Sequence, residues 1–531
     1  MDLSRLIADL SQPRAFPQPV PTVTVHQTHI SVVFVAGDFA YKIRKPVRLS
    51  FLDFSTLPLR LADCHAELEL NRRLAPGVYL AVVPITQTAE GLRWEGTGEA
   101  VEYAVKMRRL DPRLTLEQAV VDRQADVALM NRLGQRLATF HHDARRSPEM
   151  ARWARGEMVA QNLRANLELS AHQVGQTVSQ ACFDRLRQCL DQALGKLLPL
   201  IEERAAAGRP CETHGDLHLD HIYLQPAAPP AEQVVMVDCI EFNERFRCID
   251  PVADMAFLYM DLKFHGRRDL AQAFQQAYFE HAHDDTGARL LPLYSSYRAA
   301  VRGKVEGLLL LETEVPEAER VAAAQRARGH WLLALGELQP ADQRPGLLLV
   351  GGLPGTGKST LARELAAIQG FDVLRSDVIR KELAGLDPNQ PTPPDQRARL
   401  YSAEMTQQTY AECLKRADAL LWEGKRVCLD ATFGQGAFRA EAFALADRRA
   451  VPCGWLVCQA PAEVVQERLA RRTHDASDAD WRVHQLAAAA WEAPDQVTAQ
   501  RMGVVEMASG RDTWLATAVR HLASWELAEP I

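Results

Sequence analysis

The sequence predicts two domains, an α+β one followed by an α/β one built on a parallel sheet. Three observations carry this. At 531 residues the chain is longer than a single hydrophobic core serves, so two or three domains are expected. The segment Gln339-Pro340-Ala341-Asp342-Gln343-Arg344-Pro345-Gly346 is polar and proline-rich, and it is the best boundary in the chain. The apolar pattern also changes there. Before the segment, strands give way to helices; after it, short apolar runs alternate with helical stretches.

Residues 1–20 are punctuated by proline and lead into an alternating stretch from Val23 to Val35, which reads as two strands. Gly37-Asp38 makes a turn, and Phe39 to Arg44 alternates again as the third strand of a meander. The spacing becomes helical from Leu57 to Leu74, and Val101 to Leu110 is a further strand. From about residue 111 the pattern is mainly helical, with short strands around His214-Gly215-Asp216 and over Val234–Asp238. The last helix of this region starts at Pro316, a residue suited to a first helical turn. Beyond the boundary, Leu347–Val350, Val427–Leu429 and Trp455–Cys458 read as buried strands, and Leu361–Ile368 as a helix between them.

Composition narrows the function classes. Apolar residues make up 47% and charged residues 24%, an ordinary globular balance. The net charge of −7 lacks the basic footprint of a dedicated nucleic-acid binder. No basic region followed by an apolar stretch opens the chain, so no signal peptide is expected. No apolar run reaches the roughly 18 residues a membrane span needs. The ten cysteines form no CxxC pair, and several sit in strand-like runs, as Cys428 does between Val427 and Leu429. That usage suits reduced, buried thiols in a cytoplasmic protein, not a disulfide framework or a zinc site.

The strongest chemical motif follows the Leu347–Val350 strand. Gly352-Leu353-Pro354-Gly355-Thr356-Gly357-Lys358-Ser359 matches G-x-x-x-x-G-K-[ST] between a strand and a helix, with Thr360 in that helix's first turn. The glycines let backbone N–H groups turn inward around phosphates, and the helix N-terminus adds favourable partial charge. Lys358 is expected to reach the β- and γ-phosphates of ATP or GTP, and the Ser359 hydroxyl to ligate Mg²⁺. Asp430, ending the Val427–Leu429 run, stands where a Mg²⁺-associated acid belongs. Ser376-Asp377 ends the next short strand. Asp377 is a candidate for accepting the proton of an acceptor hydroxyl, with Arg380-Lys381 as a candidate anion-holding pair; an N-capping acid is the competing reading. Arg468-Leu469-Ala470-Arg471-Arg472 leads into the polar stretch Thr473–Asp480, where an arginine can close as a lid, or else form a solvated helix face.

Together these residues resemble the small P-loop kinases, a group with gluconate-kinase-like, polynucleotide-kinase-like and zeta-toxin-like members, over residues 346–510. The likeness implies that Asp377 is the acceptor-side acid and Arg471 a lid residue.

The N-terminal region holds a second constellation. His214-Gly215-Asp216-Leu217-His218 lies in a loop after a helix, and the Val235–Val237 strand ends in Asp238. Two acids so placed divide the labour of phosphoryl transfer, one near the acceptor hydroxyl and one on the metal. Upstream, Lys42 shares a strand face with Ala40, and Glu67 lies in the following helix, a protein-kinase arrangement. Val105 to Leu110, with Met107 as a nucleotide contact, is the expected hinge strand, and Asp254 a structural acid beneath the loop.

This set resembles the aminoglycoside-phosphotransferase family over residues 25–335, and the whole chain is similar to bacterial fusions of such a domain with a P-loop kinase. The likeness implies a bilobal kinase-like fold over residues 1–338, with a small lobe to about 110 and a helical lobe from 111, then a P-loop domain over 346–531. It implies ATP or GTP bound between the lobes and a small hydroxylated or amino-sugar-like acceptor. Two departures stand out. The Gln27–Ser31 turn has no glycine, and His221 occupies the position of the family's metal-binding asparagine.

The leading reading is a cytoplasmic phosphotransferase with two nucleotide sites and Mg²⁺. A second is a nucleotide-sensing regulator in which a degenerate kinase-like domain controls the P-loop domain. A third has the P-loop domain acting on nucleic-acid ends or nucleotide sugars. Acceptor identity and oligomeric state are not encoded in these motifs.

Overall fold

The computed structural model describes residues 3–49, 52–89, 91–226, 233–312, 314–471 and 477–530. The chain packs into two compact units: residues 1–160, 197–262 and 267–291 in the first, and 161–196, 263–266 and 292–531 in the second.

The first unit is built on a six-stranded antiparallel sheet. Its strands are β1 (Val23–Gln27), β2 (Ser31–Ala36), β3 (Phe39–Arg44), β4 (Tyr79–Thr88), β5 (Gly91–Trp94) and β6 (Ala100–Arg108), in the spatial order β1-β2-β3-β6-β4-β5. The helix α1 (Leu57–Arg72) follows β3 in sequence. Sequence reading anticipated β1, β2, β3 and β6 but not β4 and β5. Pro84 and the register shifts between Tyr79 and Ala81 and between Ile85 and Thr86 break β4's period, which hides the strand. On β3, Tyr41 and Ile43 enter a core with Phe34, Ile85 and Trp94, and the Tyr41 and Trp94 rings lie 4.7 Å apart. A strand alternates faces, so this seating turns Ala40, Lys42 and Arg44 the other way.

Below the sheet, α2 (Val127–Asp143), the short hairpin β7 (Ile222–Leu224) and β8 (Val234–Met236), and the helices α3 (Pro251–Phe264) and α4 (Arg268–Ala282) frame the His214–Asp216 loop.

The second unit carries an all-parallel sheet. β9 (Gly346–Gly352) is central, flanked by β11 (Arg426–Asp430) and β12 (Cys453–Gln459), with β10 (Asp372–Arg375) and β13 (Met502–Glu506) at the edges; the order is β10-β11-β9-β12-β13. Every residue of β9 and β11 is buried, as a sheet covered on both faces requires. The helices used below are α5 (Lys358–Gln369), α6 (Ser376–Leu383), α7 (Ala403–Trp422), α8 (Ala462–Ala470) and α9 (Trp481–Ala489).

The proline-rich segment 339–346 lies inside this second unit. The Ala341 N–H donates to Glu529 at 2.7 Å, Arg344 pairs with Glu526 at 2.9 Å, and Arg426 donates to the Ala341 carbonyl at 2.7 Å. All ten cysteines are free thiols, and nine of them are buried. Among the described residues no helix is long and apolar enough to cross a membrane.

Candidate active sites

In the first unit the alternation of β3 delivers Lys42 to α1, where Glu67 is fully buried. The Lys42 Nζ lies 2.8 Å from Glu67 Oε1 and 2.8 Å from Asp238 Oδ1, so one ammonium bridges two acids distant in sequence. Burial works against that charge, but Asp238 and Glu67 outweigh it and hold Lys42 well above the ordinary lysine range. The Lys42 ammonium in turn holds the Asp238 carboxyl well below the usual carboxylate range.

Glu67 has a second anchor that the sequence reading missed. Arg44, two residues along the same strand face, donates to Glu67 Oε2 at 2.7 Å, to Glu241 Oε1 at 2.5 Å and to Asp63. Without Arg44, three buried carboxylates would share one small volume, a costly arrangement. The guanidinium therefore fixes the Glu67 carboxylate in the orientation that meets Lys42. Only the repeat of a cation at i+2 on β3 hinted at it.

The loop before Asp216 hangs from Asp254. That fully buried carboxylate accepts the Gly215 N–H at 2.7 Å and the His214 N–H at 3.2 Å, and lies 3.0 Å from His141 Nε2. His141 in α2 also meets the Tyr278 hydroxyl at 2.8 Å, a contact no local motif announces. Gly215 has φ +88°, and a Cβ there would stand 2.9 Å from the Phe246 carbonyl oxygen, so only glycine makes this turn. Burial lowers the His214 imidazole to about 4, so it is neutral; its Nε2 donates to the Val237 carbonyl at 2.9 Å. Asp216 is left partly open to solvent, 38% exposed at its side chain. Asp238 sits at φ +62°, and its N–H donates to the Tyr79 hydroxyl at 3.0 Å. The structure thus brings Lys42, Glu67, Asp216, His221 and Asp238 together, with Asp254 in the supporting role expected of it. Met107 stands opposite Ala40 in the β3–β6 register, half-buried on the hinge strand. At the glycine-free turn before β2, Thr28 and Ser31 close the chain instead, their hydroxyls 2.9 Å apart.

The donor set here does not match a hard Mg²⁺ ion. Asp238 offers oxygen, but His221 offers a ring nitrogen where an amide oxygen belongs, and Mg²⁺ prefers oxygen donors.

In the second unit, the β9–α5 loop has the geometry the motif demands. Gly352 has φ +131° and Gly357 φ +105°, and a Cβ on Gly352 would lie 2.5 Å from the Cys458 carbonyl oxygen. The Thr356 hydroxyl and the Lys358 ammonium donate to the Leu353 carbonyl at 2.8 and 3.0 Å. Gly352, Leu353 and Thr356 shape the loop, whereas Pro354, Gly355, Gly357, Lys358, Ser359 and Thr360 line a cavity of about 470 Å³. Asp377 and Asp430 line the same cavity. Burial raises the Asp430 carboxyl, while Lys358 and a hydrogen bond from Ser359 pull it back. A hydroxyl and a carboxylate converging there are oxygen donors that fit Mg²⁺. Arg375, missed in the sequence, lies 3.4 Å from both Ser359 Oγ and Asp430 Oδ2.

Two sequence expectations change. Lys381 is turned into the fold and is no part of an anion clamp, whereas Arg380 lines the cavity beside Asp377. Arg380 donates to the Leu400 carbonyl at 3.1 Å and to the Thr406 hydroxyl at 3.0 Å; Lys381, buried, donates to the Gln390 carbonyl at 2.7 Å and lies 3.5 Å from Asp478. The Lys381 charge is met by Asp478, whereas Arg380's partners are uncharged and its guanidinium keeps its charge beside the cavity. Arg471 is solvent-exposed and pairs with Glu467 at 2.8 Å, one turn back on its own helix. Arg468 lines the cavity instead, donating to the Met507 carbonyl at 2.8 Å. Residues 472–476 of the expected lid lie outside the described residues, while Ser477 and Ala479 line the cavity. The loop is also braced by His484 of α9, whose Nδ1 lies 2.8 Å from the Pro354 carbonyl oxygen.

Comparisons with known proteins match a separate family model on either side of the 339–346 segment. Residues 50–293 match the family described as "Phosphotransferase enzyme family", and residues 347–494 match an "AAA domain". Uncharacterised proteins of Mycobacterium tuberculosis and Mycobacterium bovis are each 34% identical over 461 residues, 86% of this chain and 88% of theirs. Solved structures similar in part include a choline/ethanolamine kinase family protein from Mesorhizobium loti, at 14% identity and TM-score 0.36, covering 62% of this chain and 97% of that one. A gluconokinase from Sinorhizobium meliloti matches at 20% identity and TM-score 0.24, covering 34% of this chain and 93% of its own.

Proposed function

The chain belongs to one family with its uncharacterised mycobacterial relatives, with a phosphotransferase-family region ahead of a P-loop kinase region, and we propose that it uses ATP at two separate sites to phosphorylate small hydroxylated acceptors. One observation carries the reading: each unit gathers a lysine, an acid on the phosphate side and an acid on the acceptor side, Lys42, Asp238 and Asp216 in one and Lys358, Asp430 and Asp377 in the other. We assign the two activities to residues 1–338 and 346–531, the family matches falling on either side of the segment between them.

At the P-loop, backbone amides and Lys358 bind the β- and γ-phosphates, and Lys358 leaves the Leu353 carbonyl to do so. Bound at Ser359 and Asp430, Mg²⁺ supplies neutralisation of phosphate charge. Asp377 takes the proton as the acceptor oxygen bonds to the γ-phosphorus and the bond to the β,γ-bridging oxygen breaks, releasing ADP. Arg468 and the wall at Ser477 and Ala479 keep water from competing. In the N-terminal site Lys42, oriented by Glu67, holds nucleotide phosphates, and Asp216 acts as base toward the acceptor.

Asp377→Asn tests the acceptor side. It is expected to slow transfer by about 10²-fold or more with nucleotide affinity close to wild type, because the residue meets the hydroxyl and not the phosphates. Equal loss of nucleotide binding, read by calorimetry, would make Asp377 a metal or structural residue. The salt dependence of polynucleotide binding separates the nucleic-acid reading, which requires a steep slope.

A further inference from the structure

We propose that the catalytic loop of the first unit is a binding site for an imidazole-preferring transition-metal dication, of the Zn²⁺ or Co²⁺ class, held by Asp216, His218 and His221 with Asp238 beside them. This rests on reading that loop as the kinase-like site. Ligand atoms of Asp216, His218 and His221 all lie within 4.8 Å of one another. His218 Nε2 lies 3.7 Å from Asp216 Oδ2, and His221 Nε2 lies 3.7 Å from Asp238 Oδ2. These separations are too long for hydrogen bonds. They are close to the distance, roughly 3.3–3.6 Å, between two donors that each stand about 2.0–2.2 Å from one tetrahedral ion.

The orientation of His221 is a separate observation. Its Nδ1 lies 2.8 Å from the Asp216 carbonyl oxygen. A carbonyl only accepts, so Nδ1 carries a proton, and Nε2 is the nitrogen that faces Asp238. A ligating histidine whose other nitrogen donates to a backbone carbonyl is the usual arrangement at metal sites. Packing holds the second imidazole. His218 is 8% exposed at its side chain, its ring centroid 3.8 Å from that of His221 and 5.5 Å from that of Phe257. Lys42 engages Asp238 through Oδ1, which leaves Oδ2 to face His221. Two carboxylates and two imidazoles suit a dication, and the nitrogen donors select against Mg²⁺ and Ca²⁺. An ion seated here occupies Asp216 and so withholds the base from an acceptor hydroxyl, which gives the metal an inhibitory role.

The test is a Co²⁺ titration of the full-length protein without nucleotide or Mg²⁺, followed by visible absorption. The expected result is a saturable d–d band at one equivalent per chain. His221→Asn and His218→Gln are each expected to weaken it ten- to a hundredfold or more, with melting temperatures near wild type. Excess Mg²⁺ is expected not to displace the ion. A missing band, or a band unchanged in both variants, overturns the proposal. ATP binding by the Lys358→Ala chain reports the kinase-like reading separately: retained ATP binding without Co²⁺ binding removes the metal site alone, and loss of both removes the reading too.

Discussion

Lys358→Ala is expected to cut phosphotransfer at the P-loop by about 10²–10³-fold, in a full-length chain whose N-terminal site is already silenced by Asp216→Ala. The loss follows from where the charge sits. Lys358 Nζ rests 3.0 Å from the Leu353 carbonyl oxygen, inside the glycine-rich loop between β9 and α5. Removing a preorganised cation aimed at developing transition-state charge forfeits roughly 3–4 kcal/mol of stabilisation. Asp377 and Asp430 remain in the cavity after the substitution, and without Lys358 their negative charge opposes the phosphates. ADP release at the rate of the Asp216→Ala parent would remove Lys358 from the mechanism.

The reciprocal experiment concerns the first unit. In a Lys358→Ala chain, Asp216→Ala is expected to lower acceptor-dependent ADP release by about 10²–10⁴-fold, the range for a lost general base. Asp216 is partly exposed and makes no ion pair with Lys42, so nucleotide affinity is expected to hold. The backbone of the loop hangs from Asp254, not from the Asp216 side chain, so the fold is expected to survive. Unchanged release would favour the sensor reading, in which this unit binds nucleotide without transferring phosphate.

How far the sequence carried the account depends on whether the signal was local. The P-loop was legible because one stretch of eight residues contains its glycines, its lysine and its hydroxyl. Lys42 and Glu67 were legible from the strand-then-helix order, and Asp254 from its place after the loop. Arg44 was not, because its partners Asp63, Glu67 and Glu241 converge only on folding. The same holds for His484, which braces Pro354 from 130 residues away, and for His141, which reaches Asp254 across 113 residues. Lys381 looked free because sequence displays a charge but not the Gln390 carbonyl and the Asp478 carboxylate that meet it on folding. Composition marked 339–346 as a linker, yet Glu526 and Glu529 from the far end of the chain hold it within the second unit.

The central claim is that one chain holds two working nucleotide sites, and ATP-binding stoichiometry tests it most directly. Equilibrium binding of a non-hydrolysable ATP analogue to the full-length protein is expected to reach two equivalents. Lys358→Ala and Lys42→Ala are each expected to reduce that to one, and the double variant to abolish it. A single equivalent in the wild-type chain, lost entirely with Lys358→Ala and untouched by Lys42→Ala, would contradict the account and leave the first unit without a nucleotide site.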